Sequence, residues 1–436
     1  MIPKRLSIVW LIAAAAIGTV LIVTPDGGRS AEVYLGLSRS AGAKIPVAIL
    51  AVETAAGLSE EAATLRSVIE SDLRRSLLFD VMALPAQNTS GAPDASRIKE
   101  AGAAGADVVV WGRLTRERDG ALLWEGKGYD GGSGSAVTEK AYRGRDATFL
   151  RSMAHKFSDA LVAAFTGEKG IAQTRIAFVS DRTGKKELYV MDYDGANVTQ
   201  ITRDRSIALT PRWSPDGKLI TFVSYRDGMP ALHSYVPASG RRWRMVALPG
   251  TTMSPAWSPT GDRLALSSSQ SGDPDIYLTD AEGKNPRRMT FALGADLSPS
   301  WSPNGQQIAF NSNRGGSAQI YLMNVDGSDQ RRLTFEGTYN TTPAFSPKGD
   351  WVAYTCRVDG HEQICLISPD GLRSVQLTNA PGDNDSPAWA PGGRHVVFAS
   401  NRAGDTHLYV IGIDGTGEEA LTSGAGNDQT PAWSPL

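Results

Sequence analysis

TPRWSPDG, residues 210–217, decides the fold because it recurs: as SPAWSPTG (254–261), SPSWSPNG (298–305), TPAFSPKG (342–349), SPAWAPGG (386–393) and TPAWSP (430–435). The first prolines, Pro211, Pro255, Pro299, Pro343, Pro387 and Pro431, are 44 residues apart at every step. An aromatic column keeps the same register at Trp213, Trp257, Trp301, Phe345, Trp389 and Trp433. A period in the forties, built of short strands and turn glycines, is the signature of a β-propeller with one four-stranded blade per repeat.

Working outward, each copy precedes a short apolar strand such as LITFVS (219–224), then a strand such as QIYLMN (319–324), then one ending near Thr202, Thr290, Thr334, Thr378 or Thr422. Asp216-Gly217 and Asp326-Gly327 are hairpin-turn pairs, because glycine adopts positive φ cheaply. Pro-x-Trp-x-Pro lacks two backbone donors, which suits only an edge strand, and the innermost strand of a blade is one. The first apolar triplet, from Ile176, has no such strand before it, and Pro431–Leu436 has no triplet after it. Pairing the two closes a ring of six blades with no exposed sheet edge. The aromatic column then reads as core between blades.

The propeller is expected over 175–436 and an α/β domain over 31–168. In the latter, EVYLGL (32–37), IPVAILAV (45–52), DVVVWGRL (107–114), ALLWEGKGYD (121–130) and SAVTEKAYRG (135–144) read as strands. Ser59 to Leu77 carries Leu65, Val68, Ile69, Leu73 and Leu77 on one helical stripe, and a closing helix is expected from Ala147 to Phe165. Lys4 and Arg5 before LSIVWLIAAAAIGTVLIV (6–23) read as a secretory signal over 1–30, cleaved after Ser30, with an uncleaved anchor as the alternative. A net charge of −2 and the absence of a basic run argue against nucleic acid as a partner.

Catalytic constellations are missing from the sequence. The five histidines make no HExxH, no Gly-x-Ser-x-Gly elbow occurs, and no glycine-rich phosphate loop follows a strand. No metal or cofactor is expected. Asp181, Asp227 and Asp405 can gather on one face of the ring but read as solvated loop residues, and His155 as a surface or half-buried residue of the closing helix. Cys356 and Cys365, on neighbouring strands of the fifth blade, are able to bridge; the reading preferred is two separate buried residues, because sequence does not fix their register.

This order of parts resembles the TolB family of the Tol-Pal cell-envelope system. The resemblance covers essentially the whole chain and is carried by TRIAFVSDRTG (174–184) after the closing helix and by PAWSP at the C-terminal end. It implies a non-catalytic periplasmic scaffold, a monomer, supporting outer-membrane integrity and constriction at division. The propeller would bind the Pal lipoprotein, giving peripheral association with the outer membrane, and the mature N-terminal segment, with Glu32, Val33, Leu35 and Leu37, would bind TolA. The Pal face is expected where inner strands begin, since those loops vary on an otherwise regular repeat. Candidates there are Thr251, Met253, Ser254 and Leu297, with Arg182, Arg226, Arg314 and Arg402 in the loops between second and third strands. Each arginine alone reads equally well as a brace for its neighbours. A propeller-type hydrolase, or a metal or small-ligand sensor using the channel-mouth loops, is the alternative function.

Overall fold

The structure, a computed structural model, describes residues 43–83, 91–245 and 248–436. The expected leader (1–30) and the segment bearing Glu32, Val33, Leu35 and Leu37 lie outside the described residues. Among the described residues no helix is long and apolar enough to cross a membrane.

The N-terminal region runs β1 (Ile45–Ile49), β2 (Glu53–Thr54), α1 (Ser59–Arg75), β3 (Phe79–Met82), α2 (Ala95–Ala103), β4 (Val108–Arg116), β5 (Leu122–Asp130), β6 (Ala136–Gly144) and α3 (Leu150–Thr166). Its sheet has the order β3-β1-β4-β5-β6, with β1 parallel to β3 and β4, and β4, β5 and β6 antiparallel. The run Val108-Val109-Val110-Trp111 is buried on both sides, as a strand covered on two faces must be. Val108 and Val110 pack with Leu65, Ile69 and Leu73 of α1 and with Phe157 and Leu161 of α3. Val109 and Trp111 point to the other face, under Ile98 and Ala101 of α2. Three layers result.

Residues 175–433 form six four-stranded sheets, whose strands are lettered A to D from the inside outward. In blade 2 they are Ala208–Trp213, Ile220–Ser224, Ala231–Tyr235 and Arg242–Arg244. In blade 1, strand A is Asp428–Trp433 and strand B is Arg175–Ser180, so the closure expected from the orphan strands is present.

The inner strands accommodate proline through a bulge. In blade 2 the ladder pairs Leu209 with Val223 and then Arg212 with Thr221, leaving Thr210 and Pro211 opposite Phe222 alone. The residue before the proline is left-handed in every blade: Thr210, Ser254, Ser298, Thr342, Ser386 and Thr430 have φ between 47° and 55°. None is glycine, and each such conformation costs on the order of 1 kcal/mol, met by the ring around it. The aromatic column then stitches blades together. Trp213, Trp301 and Trp389 donate their indole N–H to the carbonyls of Ala432, Ala256 and Ala344 on the preceding blade, at 3.1, 3.1 and 2.8 Å.

Cys356 and Cys365 are joined in a disulfide, which corrects the expectation of two separate residues. Tyr354 pairs with Cys365 and Cys356 with Gln363, so the cysteines lie diagonally on the same face of the hairpin, with Cα atoms 5.9 Å apart.

Candidate partner-binding face

In an antiparallel blade the D-to-A and B-to-C loops share one face of the ring, and the A-to-B and C-to-D turns share the other. The α/β domain sits on the second face, at blades 6 and 1. Arg75 pairs with Glu419 and, at 3.6 Å, with Asp194, the turn residue of blade 1; Arg151 also pairs with Asp194, and Arg394 of blade 6 pairs with Glu168. His395 donates from Nε2 to the carbonyl of Arg75 at 2.6 Å, and burial holds this imidazole neutral, with its pKa pushed down to about 4.

At the centre of this joint Asp72 accepts from Tyr193 Oη at 2.6 Å and from His155 Nδ1 at 2.9 Å. His155 is therefore buried, 4% exposed, and not the surface or half-buried residue expected from its place on the closing helix. Burial works against its charged form, but the hydrogen bond and charge of Asp72 outweigh it and raise the pKa. Asp72, His155 and Asp194 place ligand atoms within 4.8 Å of one another. Three carboxylates (Asp72, Asp194, Glu419) there face the guanidinium groups of Arg75 and Arg151 and the His155 imidazole.

The opposite face carries the D-to-A and B-to-C loops, and none of the joint residues named above lies in them. Met253 and Leu297 stand half-buried on inner strands where the channel opens on this side, and Ser254 occupies the left-handed bulge next to them. Thr251 is tied to blade 3 by its N–H, which donates to Ser269 Oγ at 2.9 Å. Three of the four arginines serve as struts. Arg182 bonds Asp428 at 2.8 and 2.9 Å, Arg314 bonds Asp296 at 2.7 Å, and Arg402 bonds Asn384 at 2.8 Å. Each guanidinium also lies over an aromatic pair of its own blade, as Arg402 lies over Phe398 and Tyr409. Blade 2 has Ala208 where the others have the acceptor, and Arg226 turns to Asp204 and Asp227 at 3.9 and 3.6 Å instead. Asp181 and Asp405 also brace loops: they accept from the backbone N–H of Asn427 and Gly426.

What the sequence reading missed on this face is apolar. Ile207, Met229, Phe291, Leu293 and Phe335 are 41, 64, 69, 89 and 74% exposed, and all lie in D-to-A or B-to-C loops of blades 2 to 5. On the other face Leu372 stands exposed in the C-to-D turn of blade 5. A signal was available: Phe291 and Phe335 share a repeat column whose other members are Arg203, Ala247, Asn379 and Ser423.

A model of the TolB beta propeller domain matches residues 162–436, and one of the TolB amino-terminal domain matches residues 34–135. The chain belongs to the TolB family. A Protein TolB homolog from Chlorobaculum tepidum is 36% identical over 51% of this chain and 51% of its own length. A Tol-Pal system protein TolB from Jannaschia is 34% identical over 52% of each. The chain thus spans about half the length of the curated relatives it matches. The crystal structure of TolB from Acinetobacter baumannii superposes with a TM-score of 0.79 at 28% identity, covering 90% of this chain and 97% of that one. The α/β region followed by a six-bladed propeller is the architecture of that TolB structure.

Proposed function

We propose that the chain is a periplasmic scaffold of the Tol-Pal system, without catalytic activity of its own, that holds the Pal lipoprotein on the D-to-A face of its ring. The observation that carries this reading is the set of exposed apolar side chains in the D-to-A and B-to-C loops of blades 2 to 5, on the face away from the α/β domain and on the side where Met253 and Leu297 stand on inner strands. Large apolar groups on a rigid polar-rimmed frame are what a protein interface uses. Thr251 and Ser254 supply polar contacts beside them, and Arg182, Arg226, Arg314 and Arg402 hold the loops in place and offer their remaining donors to an acidic partner edge.

TolA would be engaged by the N-terminal segment with Glu32, Val33, Leu35 and Leu37, in a chain whose leader over 1–30 has been removed and whose units are 31–168 and 175–436. A monomer peripherally attached to the outer membrane through Pal, contributing to envelope integrity and constriction, follows from these two contacts. The Cys356–Cys365 disulfide suits the oxidising periplasm.

The test is paired. Alanine at Met253, Leu297 and Phe335 should weaken Pal binding about tenfold or more, as truncating central apolar contacts does. Substituting Asp216, Asn304 and Lys348, in the A-to-B turns, should leave it unchanged. Loss from the second group alone would show that the partner takes the other face.

A further inference from the structure

The residue between proline and aromatic on each inner strand forms a ring inside the channel. Five members are small: Ala256, Ser300, Ala344, Ala388 and Ala432. The sixth, in blade 2, is Arg212. It projects into a chamber of about 430 Å³ that opens on the A-to-B face, and the chamber walls are proline, tryptophan, phenylalanine, alanine and serine, with no carboxylate among them.

Arg212 has almost nothing to bond. Its Nη1 donates to the carbonyl of Pro211 at 2.8 Å, which leaves the other donors of the guanidinium fork without a protein acceptor among the described residues. The side chain keeps part of its surface accessible although protein surrounds it, because that surface faces the chamber. The channel acid of blade 6, Asp385, is no counter-ion. Burial and the like charges of Glu362 and Asp383 push its pKa up to about 6, the reverse of what a nearby guanidinium would do.

The repeat is disturbed around this residue. By the pattern of blades 2, 4 and 6, Trp257 should give its indole N–H to the Arg212 carbonyl, yet Trp257 Nε1 is buried without an acceptor. Thr210 Oγ1 and Thr430 Oγ1, on the bulges of the adjacent inner strands of blades 2 and 1, are also buried and unpaired. An uncompensated cation with orphaned donors beside it is costly in an otherwise regular core.

We propose that this chamber binds a small oxyanion, a carboxylate or phosphate group, with the Arg212 guanidinium as its charged anchor. Arginine's planar fork matches such groups bidentately, and a chamber free of carboxylates offers the anion no competitor. Burial lowers the guanidinium pKa only to about 10, so the anchor stays charged at neutral pH. The mouth lies on the face opposite the proposed Pal contact, so the two sites are separable.

The experiment follows the thermal midpoint of the full chain against two probes at constant ionic strength, inorganic phosphate and N-acetylglutamate amide, with chloride as the reference. The wild type should gain midpoint with at least one probe, as any ligand of the folded state provides. Arg212→Ala should lose that gain, and Arg212→Lys should keep part of it. Alanine fits the fold, since four equivalent positions already hold it. A response to phosphate alone indicates a free inorganic anion, and a response to the glutamate derivative indicates an inserted carboxylate; either supports the site. As a second readout, iodide quenching of tryptophan relative to neutral acrylamide should fall in Arg212→Ala, because Trp213 and Trp257 line the chamber. No gain with either probe, or the same gain in Arg212→Ala, overturns the proposal.

Discussion

Trp433→Ala should open the ring at its seam. Trp433 is 8% exposed and packs with Ile176, Phe178, Val397 and Leu408, so it touches both blade 1 and blade 6. Its indole N–H donates to Thr174 Oγ1 at 2.8 Å, beside the Ser434 N–H that donates to the Arg175 carbonyl at 2.8 Å. Truncating a buried aromatic costs about 3–5 kcal/mol and losing one hydrogen bond adds about 1 kcal/mol, together a large share of the roughly 5–15 kcal/mol that holds a typical protein folded. Trp433→Phe separates the two contributions. Phe345 already fills the equivalent place in blade 5, so a phenyl ring fits; the variant loses the hydrogen bond, about 1 kcal/mol, and the part of the packing that the larger indole supplies, and should cost clearly less than alanine. Denaturant unfolding followed by tryptophan fluorescence and by circular dichroism measures both variants, with Leu372→Ala, at a position 83% exposed, as the control. An unchanged midpoint for Trp433→Ala, or equal losses for the alanine and phenylalanine variants, would refute the assignment of Trp433 as the closing wedge.

Three further outcomes are expected. His155 has a raised pKa, so its contribution is complete below the ordinary histidine value of about 6.5 and is lost as pH rises through the raised value; His155→Gln should flatten the decline of the thermal midpoint that begins above about pH 6.5. His395 acts oppositely: it is held neutral to about 4, so its stabilisation is present above about 6.5 and fades on acidification, by roughly 3 kcal/mol at pH 4, and His395→Gln should blunt that acid sensitivity. The Cys356–Cys365 bridge closes a short loop, with a sequence separation of 9, so reduction or the double serine variant should cost about 2–3 kcal/mol in denaturant titrations.

The ring was legible because one motif fixed period, register, blade number and closure together, and each copy repeats the same local chemistry. The α/β region offered less. Ala95–Ala103 went unread as a helix: it buries only Ile98 and Ala101 and contains Gly102, although Asp94 caps it by accepting from the Arg97 N–H. The four-residue strand Phe79–Met82 is too short for a periodic signal. The joint was invisible for a different reason. His155 is buried by Asp72, 83 positions away, which in turn holds Tyr193, 121 positions away, and no local pattern encodes such a meeting. The disulfide turned on a diagonal register, and the exposed phenylalanines on reading differences within a column where the repeat drew attention to sameness.

The seam strand also sets an order of events. Trp433 meets Thr174 across 259 positions, so blade 1 keeps a bare edge throughout synthesis of blades 2 to 6, and its partner strand comes last. Nearest-neighbour blades can zip as they emerge, but the final contact carries the longest loop-closure cost and waits for the C-terminal strand. The α/β domain grips blades 1 and 6 through Tyr193, Asp194, Arg394, His395 and Glu419, the two blades that the seam brings together. Docking of the first-made domain therefore reports completion of the last-made strand: a chain interrupted before Asp428 presents an unclaimed joint and an open edge at once, both recognisable to quality-control proteases.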